Sequence, residues 1–185
     1  MVSLASLWLP ILLSAVVAWI ASAIFWTVSP HHKTDFKTVP DQDDFLDAVK
    51  KRDLSPGQYW FPYSDVPAER TSPEMAEKMN DNPNGMLTVI SHGAPNMGKN
   101  LVLSFLVNLV IAVFVGYVAA QAFGVGEPYM NVFQLTSVVA FMGYGFGYWH
   151  EAIWFGQPWK RAWKTVFDAL VYGLLTAGVF GWLWP

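Results

Sequence analysis

Residues 93–124 read GAPNMGKNLVLSFLVNLVIAVFVGYVAAQAFG. Two incompatible folds can be read from this stretch. Its first seven residues have the G-x-x-x-x-G-K spacing of a phosphate-binding loop, and the strand-like run MLTVIS precedes them. Its remainder is a long apolar helix with no charge after Lys99. The second reading prevails. Asn100 stands where a phosphate loop needs Ser or Thr to place a hydroxyl on Mg²⁺. A phosphate-binding helix also belongs to a covered parallel sheet, and the chain has no room for one. No nucleotide is therefore expected. Gly93, Pro95 and Gly98 instead turn the chain, an Asn caps the helix, and Lys99 marks the membrane face at which that helix begins. The helix N-terminus beside Lys99 is suited to a lipid phosphate.

The rest of the chain follows the same pattern. Of 185 residues 54% are hydrophobic and 14% charged, against about 25% charged in an ordinary soluble protein. The apolar excess lies in four blocks, Leu4–Val28, 100–124, 131–155 and 165–184. Each can cross a hydrocarbon core of ~30 Å at ~1.5 Å per residue. The expected fold is an all-α transmembrane four-helix bundle, with a small α+β cytoplasmic insertion between spans one and two. The expected divisions are 1–29 for the first span, 30–98 for the insertion and 99–185 for spans two to four. A cleaved leader fits the first block poorly, because it lacks a basic start and its apolar run is too long. The chain has no cysteine, which excludes disulfides, thiolate catalysis and cysteine–metal ligation.

The eleven Lys and Arg residues mark one face of the membrane. Eight lie between spans one and two, and Lys160, Arg161 and Lys164 lie between spans three and four. The positive-inside rule makes both segments cytoplasmic and both termini external. Ten tryptophans fit an aromatic belt, with Trp26, Trp154, Trp159 and Trp163 at inner span ends and Trp182 and Trp184 at the outer end of span four. Lys99, Lys160, Arg161, Lys164, Trp159 and Trp163 are the expected anchors at the lipid interface.

In the insertion, PDQDDFLDAVKKR reads as a helix capped by Asp41, with Phe45, Leu46 and Val49 as its buried stripe. QYWFPY reads as an edge strand, and SPEMAEKM as a helix capped by Ser72 with Pro73 at its first position. MLTVIS supplies a second strand. So small a unit needs a surface to pack on: the bundle, lipid headgroups or a second copy.

Small residues recur every four positions in the spans: Ser104, Asn108, Ala112, Gly116, Ala120 and Gly124 in the second, Ala169, Gly173, Ala177 and Gly181 in the fourth. Span three has Gly143 and Gly147, and span one Ser14, Ala18 and Ser22. Such stripes let helix backbones approach closely in lipid, where apolar burial provides no drive.

Three acidic or histidine residues, His150, Glu151 and Asp168, and the amide Asn108 stand out within the spans. His150 and Glu151 follow Gly147 by three and four residues, so they are expected on the bundle side of span three. With Asp168 and Asn108 they form a candidate ion or proton site in the cytoplasmic half. The competing reading has Asp168 serving a helix N-terminus, and His150 and Glu151 pairing with Lys160, Arg161 or Lys164. His31 and His32, after span one, offer a metal-ligand set with His150 and Glu151. No resident cofactor, catalytic constellation or nucleic-acid surface is indicated.

The basic linker FGQPWKRAW (155–163) and the closing DALVYGLLTAGVFGWLWP (168–185) resemble those of small, uncharacterised bacterial four-helix membrane proteins. The resemblance implies a bacterial inner-membrane location and transfers no active residue. Three functions follow in order: a non-catalytic accessory subunit contacting a membrane partner or a second copy, a small proton- or cation-coupled transporter, and an enzyme acting on lipid headgroups.

Overall fold

The computed structural model describes residues 2–91 and 93–185. The chain forms two compact units, one running to Phe36 and resuming at Pro95, the other spanning Lys37–Ala94. Residues 30–36 thus belong with the membrane-type helices rather than with the insertion, because they fold back on the last helix.

The first unit is helical. Helix α1, Trp8–Ala23, is preceded by a 3-10 turn, Leu4–Leu7, and continues into a π-helical turn, Ile24–Val28. It is followed by α4 (Met97–Ala122), α5 (Tyr129–Gly145), α6 (Gly147–Phe155) and α7 (Trp159–Trp182). Among the described residues, three helical segments are long and apolar enough to cross a membrane: Leu4–Val28, Met97–Ala122 and Trp159–Trp182. The third apolar block differs from expectation, because Phe146 divides it into α5 and α6. Three glycines at alternate positions, Gly143, Gly145 and Gly147, weaken the helix there, each by about 1 kcal/mol relative to Ala.

The small-residue stripes lie where helices meet. Asn108, Ala112, Gly116 and Ala120 of α4 are buried, as are Ala169, Gly173 and Ala177 of α7 and Ser14 and Ala18 near the middle of α1. A Cβ on Gly116 would come within 3.1 Å of Ile11 and 3.4 Å of Phe180. The most extensive helix contact joins α5 to α7. There Gly173 lies so close to α5 that a Cβ would meet the backbone of Phe141 at 3.1 Å and of Ser137 at 3.2 Å. Gly147, expected to extend the groove of span three, faces open space; Gly145 takes that role, since a Cβ there would come within 3.0 Å of Ala169.

Both ends of α7 are tied to other segments. At its C-terminal end, Trp184 Nε1 donates to Gly124 O at 2.9 Å and Gly126 N donates to Pro185 O at 2.7 Å. Toward its N-terminal end, Lys164 and Asp168 hold residues 31–35. At the start of α4, Asn96 Oδ1 accepts from Lys99 N at 3.0 Å, so the phosphate-loop look-alike is a capped connector.

The second unit contains α2 (Gln42–Lys50), β1 (Gly57–Phe61), α3 (Pro73–Asp81) and β2 (Gly85–Val89). The strands pair antiparallel, Gly57 opposite Val89 and Phe61 opposite Gly85. Ser72 caps α3 by accepting from Met75 N. Asp41 differs from expectation: it occupies the cap position of α2 in a left-handed conformation and makes no side-chain cap bond. Phe45 and Leu46 are exposed rather than forming a buried stripe.

Candidate functional site

The π turn of α1 has one extra residue per turn in its hydrogen bonding, and it ends at Ser29. Ser29 then caps a 3-10 turn, Pro30–His32, by accepting from His31 N at 3.1 Å. Pro30 stands at the first helical position of that turn, where its missing N–H costs nothing. This local geometry presents His31, His32 and Asp35 to α7.

His32 is the centre of the site. Its Nδ1 lies 2.6 Å from Asp35 Oδ2, and its Nε2 lies 2.8 Å from Asp168 Oδ2. Its side chain is 3% exposed, and Trp26 stacks on the ring with centroids 3.9 Å apart and planes 1° from parallel. Two nitrogen–oxygen lines require two protons, and a neutral imidazole carries one. Which of the two lines carries that proton depends on the tautomer. Lys164 extends the row, bonding to Asp35 Oδ1 and donating to Thr34 Oγ1 at 3.1 Å. Burial alone would raise the Asp35 carboxyl; hydrogen bonds from Lys164 and His32, with their charges, outweigh it and hold the group below the usual carboxylate range.

The other oxygen of Asp168 is used differently. His31 Nε2 approaches Asp168 Oδ1 to 3.2 Å, yet neither atom makes a hydrogen bond among the described residues, and both atoms are buried. The Asp168 side chain is 6% exposed. Phe25 and Phe167 flank His31, with ring centroids 5.9 and 5.6 Å away. Arg161 stacks over Trp26, Phe36 and Tyr148 at 5.9, 5.0 and 5.2 Å.

The residues expected from sequence are divided by this geometry. Asp168 is in the site, but in the third turn of α7, too deep to serve the helix N-terminus, whose field fades after the first turn. His31 and His32 join it without His150 or Glu151. Those two are exposed, contrary to the expectation that they face the bundle, because the break at Phe146 resets the phase of the helix. Asn108 is buried away from the site, its Nδ2 donating to Ser104 O of its own helix at 2.7 Å. Among the expected interface anchors, Lys164 is turned into the site, while Lys99, Lys160, Trp159 and Trp163 are exposed. Asp35 was missed. The signal for it was the i, i+3 spacing of His32 and Asp35 in HHKTD, directly after a span end.

Comparison of the chain with protein-family models, curated proteins and solved structures finds no match.

Proposed function

We propose that this chain is a four-span protein of the bacterial inner membrane that handles a cation at its cytoplasmic face. The topological part draws support from the clasp between residues 31–35 and α7. The clasp joins the end of Leu4–Val28 to the N-terminal part of α7, which supports an exit of the first span and an entry of the last on one membrane face. The helix α4 crosses once, so α5 with α6 must cross back. Helix α5 alone has 17 residues, about 25 Å at ~1.5 Å per residue, which reaches the lower limit for spanning. The Lys and Arg placement makes the clasp side cytoplasmic and both termini external, with residues 30–98 inside.

The natural absence of cysteine makes this directly measurable. In a bacterial host, Val125→Cys is expected to react with a membrane-impermeant maleimide in intact cells. Glu77→Cys is expected to react only after the membrane is opened. The reverse pattern would overturn the topology.

One observation carries the cation reading: His31 Nε2 and Asp168 Oδ1 are buried, adjacent and without hydrogen bonds among the described residues. Buried polar atoms of this kind, in contact at 3.2 Å but without a hydrogen bond, favour a ligand, since an unmet buried polar group costs about 1–3 kcal/mol. Charged groups at membrane depth are likewise associated with ion pathways. In proteoliposomes, flux of protons or divalent cations is expected to require Asp168, falling to the protein-free background in Asp168→Asn. Equal flux in that variant and in the parent would rule out a carrier role.

The accessory-subunit reading retains one supporting observation. Phe45, Leu46 and Phe61 are exposed apolar side chains in the unit that carries most of the charge. Absence of any flux in the parent chain favours it.

A further inference from the structure

We infer that the clasp is a binding site for a divalent transition-metal ion, ligated by His31, His32 and Asp168 and oriented by Asp35. This inference names the ligand of the cation site proposed above and rests on that reading.

The donor set is two imidazole nitrogens and one carboxylate. That combination suits first-row ions such as Zn²⁺, Fe²⁺ and Mn²⁺, and is poorly matched to Ca²⁺ or Mg²⁺, which prefer oxygen alone. One ligand atom from each of the three residues lies within 4.8 Å of the others. Bonds of about 2.0–2.2 Å place donors around one ion roughly 3–4 Å apart. The separations of 3.2 Å between His31 Nε2 and Asp168 Oδ1 and of 2.8 Å between His32 Nε2 and Asp168 Oδ2 are already near that spacing, each histidine meeting one oxygen of the carboxylate.

Two features separate this cluster from an ordinary group of acids and histidines. Asp168 is more than nine-tenths buried, and its Oδ1 points at His31 Nε2 with neither atom hydrogen-bonded among the described residues. His32 also carries its own orienting carboxylate. Metal-bound histidines almost always present the second ring nitrogen to a carboxylate or carbonyl, and Asp35 Oδ2 meets His32 Nδ1 at 2.6 Å. Lys164 holds the remaining Asp35 oxygen, which fixes that carboxylate in place. Ion binding requires that no proton lie between His32 Nε2 and Asp168 Oδ2, so that both atoms can turn to the metal.

The full chain, purified in detergent without a histidine tag and stripped with chelator, is titrated with Co²⁺ and then Zn²⁺. One Co²⁺ per chain is expected, with visible absorption bands of nitrogen–oxygen ligation that Zn²⁺ displaces. His31→Ala leaves every hydrogen bond of the clasp in place, so it should remain folded by circular dichroism while losing the bands. Asp35→Asn is expected to weaken affinity by about 10–100-fold, the usual cost of losing an orienting partner. The inference is overturned if no ion binds at one per chain, or if His31→Ala binds as the parent does. Proton flux that persists without metal binding removes the metal and leaves the carrier. A bound ion without any flux removes the carrier and leaves the site.

Discussion

Replacing Asp168 with Ala is expected to destabilise the protein by about 3–5 kcal/mol, the usual cost of removing one member of a buried ionic pair. The reason lies in what the substitution leaves behind. His32 is 3% exposed and fixed by Trp26 on its face and Asp35 on its Nδ1. Without Asp168 its buried Nε2 loses its hydrogen-bond partner, while Asp35 stays committed to His32 Nδ1 and Lys164. Asp168→Asn retains an oxygen for His32 and should lose less. Thermal unfolding in detergent, followed by tryptophan fluorescence, provides the measurement. Trp26 reports the clasp directly, since its ring lies on the imidazole. A shift in Asp168→Ala no larger than that of an exposed control such as Glu151→Ala would mean that the clasp contributes nothing to stability.

The second large effect is expected at Gly173. Its neighbours across the α5–α7 contact are backbone atoms of Ser137 and Phe141, which cannot rotate aside as a side chain can. Gly173→Ala is expected to cost about 1–3 kcal/mol through forced separation of the helices, and Gly173→Leu the top of that range or beyond. Gly147→Ala is the matched control. A Cβ there meets nothing within 4 Å, so it should be neutral or slightly stabilising through the usual helix preference for Ala. Both glycines were equally prominent in the sequence as members of small-residue stripes. Only their neighbours distinguish them. Equal melting temperatures for Gly173→Ala and Gly147→Ala would contradict the close approach of α5 and α7.

The contrast between these two glycines shows how far the sequence reaches. The three long apolar segments were legible because length and hydropathy are properties of consecutive residues. The cap at Ser72 and the two strand segments are local in the same sense. Small-residue stripes in α4 and α7 followed from a period that stays in phase over an unbroken helix.

The candidate site was legible only in part, since His31, His32 and Asp168 were each visible as unusual residues but were assigned to different partners. His32 and Asp168 are 136 residues apart, and nothing in their spacing joins them. Their meeting depends on the π turn and Ser29 folding residues 30–35 back onto α7. His150 and Glu151 failed for the complementary reason. Their expected placement depends on the phase of a continuous helix, and one break at Phe146 changes which face they occupy. By itself, the sequence determined a membrane-type helical chain with a small inserted unit, because those features add along the chain. The tertiary structure alone decided which ionisable groups share a buried volume, because that depends on helix phase and chain reversal, which single residues can alter.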